Sequence, residues 1–327
     1  MDNTGAVKRN TIGDSRVVLV NRFYWPDQSA TSQLLTDLAE HIASSGTRVV
    51  IVTSRLHYTS SKERLPPIDH HNGVEIRRVW TTGFDRTSLA GRAFDFLTFY
   101  LFASLALIKI VQRGDFVVAK TDPPLIQIFA WFVTWIKRGR LVNWCQDLFP
   151  EVVYAVAERR NRGAIGATLH RLRNFALHRS EMNITISNEM SKTLVAQGVD
   201  KSRIQVIRNW CDPVIAPISS SANALRQRWR LKDHFVLGYS GNLGRAHIPD
   251  KMLLLINELA DIASLRFLFV GSGHGMKWLR QQCHREGHNH VIFKPYQPRE
   301  TLSLSLSVPD VHLISLRSGC QNFLAPS

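Results

Sequence analysis

A chain of 327 residues is longer than one hydrophobic core usually supports, so we expect two domains. Lysine and arginine number 41 against 26 acidic residues, a formal charge of +15, and this balance favours partners that carry phosphate: nucleotides, nucleic acid or an anionic bilayer. The four cysteines form no CxxC pair, which argues against a disulfide scaffold and favours a reduced, cytosolic compartment. Residues 1–15 are polar without an apolar core, so they predict a disordered tail and not a signal peptide.

The first half of the chain predicts a parallel sheet. An apolar run at 16–20, an amphipathic helix at 31–46 and a second apolar run at 48–54 form a βαβ unit. Further strands are predicted at 116–120, 141–145, 183–187 and 204–207. Ligands of such sheets bind at the carboxyl ends of the strands, so the loops that follow the strands are the candidate site.

Three of these loops are chemically distinctive. FYWPDQS offers Tyr24, Trp25 and Asp27, aromatic faces and a carboxylate that suit a sugar ring. The alternative is a rigid apolar turn that only packs on the sheet. KTDPPL, with Asp122 before two prolines, is interpreted as mainly structural.

The third loop, WCQDLFPE, places Asp147 and Glu151 four residues apart after a buried strand. Carboxylates there can accept a proton from a hydroxyl group or steady a developing positive charge. The alternative for Asp147 is a helix N-cap.

Two apolar segments, 96–108 and 125–136, are shorter than the ~20 residues that cross a bilayer, so we expect neither to span it. They are interpreted as buried helices that flank the sheet. Their aromatic content and nearby bases also favour peripheral binding to an anionic membrane. Those bases are Arg159, Arg160, Arg162, Arg171 and Arg173.

A Pro- and Ser-rich stretch near 212–225 predicts the connection between two domains, after which the strand–helix alternation restarts. Strands are predicted at 235–240, 266–270, 291–293 and 311–315, with helices at 249–262, after GSGHG and on PRETLSLSLS. The expected domains are 16–212 and 213–327.

Two glycine turns follow strands of the second half. In GNLGRAH, Gly241 and Gly244 let the backbone approach a ligand, the next helix presents N–H groups, and Arg245 offers a planar fork for diphosphate oxygens. GSGHG at 271–275 repeats the arrangement after the next strand. Together they predict a nucleotide-diphosphate site, and ordinary turn chemistry is the alternative. The cluster CHREGHNH matches no zinc pattern, so no metal site is expected.

These stretches together resemble the family 4 glycosyltransferases of the GT-B fold, in the branch that builds exopolysaccharides and O-antigens of the colanic-acid type. The resemblance runs from about Arg16 to the last residue. It is carried by FYWPDQSATSQLLTDLAEHI, WCQDLFPE, ITISNEMSKTLVAQGV, IQVIRNWCD, YSGNLGRAH, FVGSGHG and YQPRETLSLSLSVPDVHLISL. It implies an α/β protein with two facing Rossmann-like domains and parallel sheets.

The resemblance implies a retaining transfer of sugar from a UDP- or GDP-sugar to a polyprenyl-diphosphate-linked saccharide, without a cofactor or an obligatory metal. The protein would lie in the cytoplasm, peripheral at the inner face of the cytoplasmic membrane. Tyr24, Trp25 and Asp27 would face the acceptor, and Asp147 and Glu151 the reacting centre. The donor would be bound by Gly241, Asn242, Gly244, Arg245, Gly271, Gly273 and Tyr296.

The sequence departs from the family pattern at Ser29 and Ala30, which replace a common glycine pair. Family members also continue beyond a Pro-Ser like Pro326-Ser327, so we expect the second domain to be incomplete and turnover to be weak or absent. The alternative function is therefore a truncated remnant that binds nucleotide or membrane without turnover. A nucleic-acid partner is not expected, since no zinc-finger or RNA-recognition signature is present.

Overall fold

The computed structural model describes residues 15–27, 29–57, 63–84, 88–157, 163–212 and 214–324. The calls on the N-terminal tail, on Arg159, Arg160 and Arg162, and on Pro326-Ser327 lie outside these residues. The strands of the first unit are β1 Val17–Val20, β2 Val49–Ser54, β3 Ile68–His71, β4 Val74–Val79, β5 Phe116–Lys120, β6 Arg140–Cys145, β7 Met182–Thr185 and β8 Ile204–Val206. The helices up to the same point are α1 Ala30–Ser44, α2 Leu89–Ile110, α3 Ile126–Lys137, α4 Glu151–Val156, α5 Gly163–Arg179 and α6 Asn188–Ala196.

Within the described residues, these eight strands form one sheet in the order β3-β4-β2-β1-β5-β6-β7-β8. All neighbouring pairs are parallel except β3 and β4, which form an antiparallel hairpin. β1 and β2 are buried on both faces because helices cover the sheet on both sides. The strand order reverses between β1 and β5, and a crevice opens outside the carboxyl ends of the strands at such a point.

Helices α2, α3 and α5 form a layer on one face of this sheet, where α2 packs against α3 and α3 against α5. Phe99 and Leu107 of α2 and Ala130 of α3 are fully buried in a core shared with β1, β2 and β5. The apolar segment predicted at 96–108 is part of a longer helix than expected. α2 has 22 residues, and the part Ala90–Ile110, with a mean hydropathy of 1.7, is long and apolar enough by length and composition to cross a membrane.

The second unit is a smaller parallel sheet. Its strands are β9 Phe235–Asn242, β10 Leu265–Ser272, β11 Val291–Lys294 and β12 Val311–His312, in the order β11-β10-β9-β12. Its remaining helices are α7 Ala224–Arg228, α8 Pro249–Glu258, α9 His274–Arg285 and α10 Leu302–Leu306. Phe267 and Phe269 of β10 are buried against α8 and α9. The strand predicted at 311–315 is shorter than expected.

The chain divides at Asn209, close to the predicted boundary, but α4 belongs to the second unit and not to the first. This helix lies against the short 3₁₀ turn Cys320–Asn322, far along the chain. Such a contact leaves no local signal in the sequence.

Candidate functional site: a glycine-turn pair and a polar strand edge

The two glycine turns of the second unit lie side by side. β9 and β10 stay in register to their last residues, with Gly241 opposite Gly271 and Asn242 opposite Ser272. The φ angles of Gly241, Gly271 and Gly273 are 143°, 132° and 124°, values that side chains with a Cβ atom rarely adopt. The sequence pattern therefore correctly marked positions where glycine is needed.

Contact between the two turns explains part of this need. A Cβ atom on Gly271 would lie 2.1 Å from the Gly241 carbonyl oxygen, and one on Gly273 would lie 2.5 Å from both the Asn242 Oδ1 and the Leu243 carbonyl oxygen. Gly244, by contrast, has only ordinary contacts at the position of a Cβ atom, the nearest at 3.5 Å. Glycine is therefore needed at positions 271 and 273 for the two turns to pack this closely, whether or not a ligand is bound.

Polar and aromatic groups surround the paired turns. Arg245 is exposed, and within the described part of the chain no ion pair involves it. α9 begins at His274, with Gly273 as its N-cap, so the positive end of the helix dipole lies at the turn. The ring of Tyr296 is 55% exposed and its Cε1 would contact a Cβ atom on Gly271 at 3.2 Å. The predicted donor residues are therefore brought to one edge of the second sheet.

His247, at the end of the first turn, is a positioning residue that the sequence reasoning did not assign. It is buried, and its Nδ1 donates a hydrogen bond to the Ser315 carbonyl oxygen at 2.6 Å. The Arg317 amide donates to the Ala246 carbonyl oxygen at 2.7 Å. These two hydrogen bonds thus attach the segment after β12 to the GNLGRAH turn and hold the turn in position. In the sequence, the only sign of this contact was the histidine that ends the GNLGRAH turn.

In the first unit, Asp147 lies just after β6 and lines a small cavity of about 10 Å³ under α3 and α5. The Gln146 amide donates to the Thr121 hydroxyl at 3.2 Å, and this hydroxyl in turn donates to the Asp147 carboxylate. Burial raises the pKa of Asp147 to about 6; the hydrogen bond from Thr121 opposes this rise and the charge of Asp122 adds to it. A carboxyl group with such a pKa is suited to proton transfer near neutral pH.

The alternative that Asp147 caps a helix is wrong. The next helix, α4, begins at Glu151, so Pro150 and not Asp147 holds the capping position. Glu151 is buried, and it belongs to the second unit while Asp147 belongs to the first.

Lys120, the last residue of β5, is a second titratable group at this edge, and the sequence reasoning missed it. Its side chain is buried, its Nζ donates to the Thr31 carbonyl oxygen at 2.5 Å, and it lies 4.2 Å from the centre of the Trp144 ring. Burial lowers the pKa of Lys120 to about 7, against the attraction of Asp122. The sequence did contain a sign of this buried group, namely a lysine at the end of an otherwise apolar strand.

The FYWPDQS loop is only partly open to solvent. Tyr24 is 2% exposed, and burial raises the pKa of its hydroxyl above the usual value. Trp25 stacks on His71 with 3.9 Å between ring centres, and Asp27 accepts a hydrogen bond from the Ser29 amide at 3.0 Å. Tyr24 is packed as the alternative of a rigid apolar turn predicts. The predicted contact with an acceptor therefore depends on Trp25 and Asp27.

Among the residues that the structure describes, no group of three His, Cys, Asp or Glu side chains is placed to hold a metal ion.

This fold is that of the GT-B glycosyltransferases, two α/β units with mostly parallel sheets. The structure of Anabaena Alr3699/HepE in complex with UDP is similar, with a TM-score of 0.62 and 16% identity over 91% of this chain and 73% of the other. WaaG, a glycosyltransferase involved in lipopolysaccharide biosynthesis, gives a TM-score of 0.63 at 15% identity over 91% and 74%. At these identities the likeness concerns the fold alone.

Residues 30–210 match the glycosyl transferase 4-like domain, more than half of the chain, and the chain belongs to this family. It is 26% identical over 199 residues to the putative colanic acid biosynthesis glycosyl transferase WcaI of Escherichia coli K12, covering 59% of this chain and 48% of that protein. It is 22% identical over 225 residues to the probable glycosyltransferase WbjE of Pseudomonas aeruginosa, covering 68% and 56%. The chain thus spans about half the length of these relatives. The resemblance drawn from the sequence is confirmed.

Proposed function

We propose that this protein transfers a sugar from a UDP- or GDP-sugar to a polyprenyl-diphosphate-linked saccharide in the synthesis of a cell-surface polysaccharide. The reaction retains the anomeric configuration, needs no obligatory metal, and takes place at the cytoplasmic face of the inner membrane. The observation that carries the proposal is the pair of glycine turns that meet at one sheet edge beside an exposed arginine.

The donor site is the best supported part. Main-chain N–H groups at a helix N-terminus and an arginine fork together bind phosphate oxygens well. Arg245 has no competing ion pair with a described residue, and Tyr296 offers an exposed ring next to Gly271 for stacking on a base. HepE has been crystallised with UDP and with UDP-glucose, which supports a uridine nucleotide as the first donor to test.

The acceptor site is proposed at the carboxyl edge of the first sheet. Asp147 and Asp122 follow the adjacent strands β6 and β5, and carboxylates at such an edge would stabilise the positive charge that develops on the transferred sugar. In a same-face reaction the leaving phosphate takes the acceptor proton, and the protein mainly supplies position and charge stabilisation. The catalytic role of Glu151, in the second unit, stays a prediction.

The synthesis of a cell-surface polysaccharide is supported by the names of similar proteins. WcaI is named for colanic acid biosynthesis and WaaG for lipopolysaccharide biosynthesis, and the net charge of +15 suits an anionic diphosphate lipid and its membrane.

Nucleotide binding tests the proposal directly. Isothermal titration of the 327-residue chain with UDP and GDP should show binding, and Arg245→Ala should weaken it by about 10- to 100-fold, since a charge-assisted hydrogen bond contributes about 1.5–3 kcal/mol. Arg228→Ala, an exposed arginine on α7, is the matched control and should bind as the wild type does. Absence of binding, or equal binding by both variants, would refute the donor site. Binding without transfer would support the non-catalytic alternative.

A further inference from the structure

Helix α2 is apolar on the side that faces away from the protein. Phe94, Leu97, Leu101 and Leu105 follow one another at helical spacing and are 47–59% exposed, while the opposite side packs in the core. A surface helix normally carries polar residues on its outer side. This stripe runs for about 16 Å along the helix.

The neighbouring helix α3 continues the apolar surface. Phe132, Trp135 and Ile136 are 47–66% exposed on its outer side, and Tyr100 of α2 stacks on Phe129 of α3 with 4.6 Å between ring centres. At roughly 100 Å² for each of the seven exposed side chains, the surface amounts to roughly 700 Å², more than the largest apolar patch of a typical monomer, about 300–600 Å². We call it the α2–α3 face.

The exposed charges on the three helices of this layer are of one sign. In α2, α3 and α5, which the structure describes over their full length, the single carboxylate is Asp95, and it is buried in an ion pair with Arg22 at 2.9 Å. The bases on the three helices with partly or fully exposed side chains are Arg92, Lys109, Lys137, Arg171 and Arg179. α2 leads into β5 and α3 into the parallel β6, so Lys109 and Lys137, in the last turns, lie at the same end of the layer.

We propose that the α2–α3 face is a docking surface for a bilayer that contains anionic lipid, with the apolar stripe in the acyl boundary and the bases at the headgroups. Apolar side chains flanked by lysine and arginine, with tryptophan at the edge, are what such an interface binds. A second copy of this chain is the other candidate partner, but a symmetric pairing would bring two surfaces of the same positive charge together.

The inner side of α2 argues against insertion across the membrane. Phe99, Ala103 and Leu107 fill the core on β1 and β5, and the Arg22–Asp95 ion pair ties the start of the helix to the sheet. The helix therefore lies along the surface with one side in the protein and the other in lipid. The inference deepens the proposed function, because it names the surface through which the enzyme meets the membrane of its acceptor.

Vesicle flotation tests this face without nucleotide or sugar transfer, so its outcome is independent of the donor test. The wild-type chain should float with vesicles of phosphatidylcholine and phosphatidylglycerol and much less with phosphatidylcholine alone. The double variant L97E/L101E should lower binding by about tenfold or more. Leu254→Glu changes a leucine on α8 that is also about half exposed (49%), and this variant should bind as the wild type does. Circular dichroism checks that the variants are folded.

Two further measurements separate lipid from a second copy. Brominated lipid should quench tryptophan fluorescence, and Trp135→Phe should remove a large part of this quenching. Sedimentation should show a monomer at concentrations where the vesicles bind. Failure to float, equal flotation of L97E/L101E and wild type, or a dimer that L97E/L101E disrupts without vesicle binding would each overturn the proposal.

Discussion

Replacement of Lys120 by methionine should raise the free energy of unfolding, because it removes a buried ammonium group. The size of this gain should depend on pH. A lysine whose pKa falls from its ordinary value of 10.5 to about 7 has a charged form that folding disfavours by about 5 kcal/mol, at about 1.4 kcal/mol per pH unit. The contact with the Trp144 ring at 4.2 Å favours the ammonium by about 1–2 kcal/mol. We therefore expect Lys120→Met to stabilise the protein by about 3 kcal/mol at pH 6.

The sign of the pH dependence follows from proton binding. Between about pH 7 and pH 10.5 the unfolded chain holds a proton on Lys120 that the folded chain lacks, so the wild-type stability gains up to about 1.4 kcal/mol per pH unit from this group. Lys120→Met lacks this gain, so its advantage should shrink as the pH rises and be nearly lost at pH 10. Burial raises the hydroxyl pKa of Tyr24 and of Tyr100 above its usual value, and these groups affect both proteins alike.

Urea unfolding at several pH values, followed by tryptophan fluorescence, measures the difference in free energy of unfolding. Lys192→Met, an exposed lysine on α6 of the same unit, is the control and should change stability little at any pH. Curves for wild type and Lys120→Met that stay parallel from pH 7 to pH 10 would show that the ammonium is not desolvated, and the argument for this group would be refuted.

Three further substitutions, two of them with a companion variant, test the site and the contacts that support it. Asp147→Asn should abolish transfer yet stabilise the protein by up to about 3 kcal/mol at pH 7.5, because the raised pKa of about 6 makes the ionised form unfavourable above that pH; thermal unfolding and a transfer assay check both, and a destabilised variant would contradict this. Gly271→Ala should cost at least about 2 kcal/mol and impair UDP binding, whereas Gly287→Ala, also at positive φ but with open space around it, should cost about 1 kcal/mol. Arg226→Met should cost about 3 kcal/mol, since it deprives Asp310 of both its guanidinium hydrogen bonds, and adding Asp310→Asn should recover part of the loss in a double-mutant cycle.

The parts of the fold that local patterns encode could be predicted. The run FVVAK gave β5 with the correct bounds, and Gly241 and Gly271 were placed at strand ends where their φ angles require glycine. The hairpin of β3 and β4 was missed although Asn72-Gly73, with both φ angles positive, is a typical signal for its turn.

The misses concern residues whose environment is set by distant parts of the chain. The first apolar segment was taken to begin at residue 96, just after Asp95, but Arg22, 73 residues away, pairs with this carboxylate inside the protein and the helix extends past it. In the sequence Lys120 is the polar last residue of an apolar strand. In the structure its ammonium group is buried between the Thr31 carbonyl oxygen and the Trp144 ring. Tyr24 was expected at an open surface and is buried. Contacts between residues this far apart in the chain follow no spacing rule, so the sequence alone does not predict them.

The interlocked bends after β9 and β10 also constrain how this protein can diverge. Because the main-chain carbonyl oxygen of Gly241 occupies the space that any side chain at Gly271 would need, position 271 must stay glycine for as long as the first bend keeps its main-chain path. Preference for one donor over another would then evolve through the side chains that border the bends, such as Tyr296 and Arg245, while the main-chain frame stays fixed. A family alignment would show paired glycines held constant beside variable neighbours.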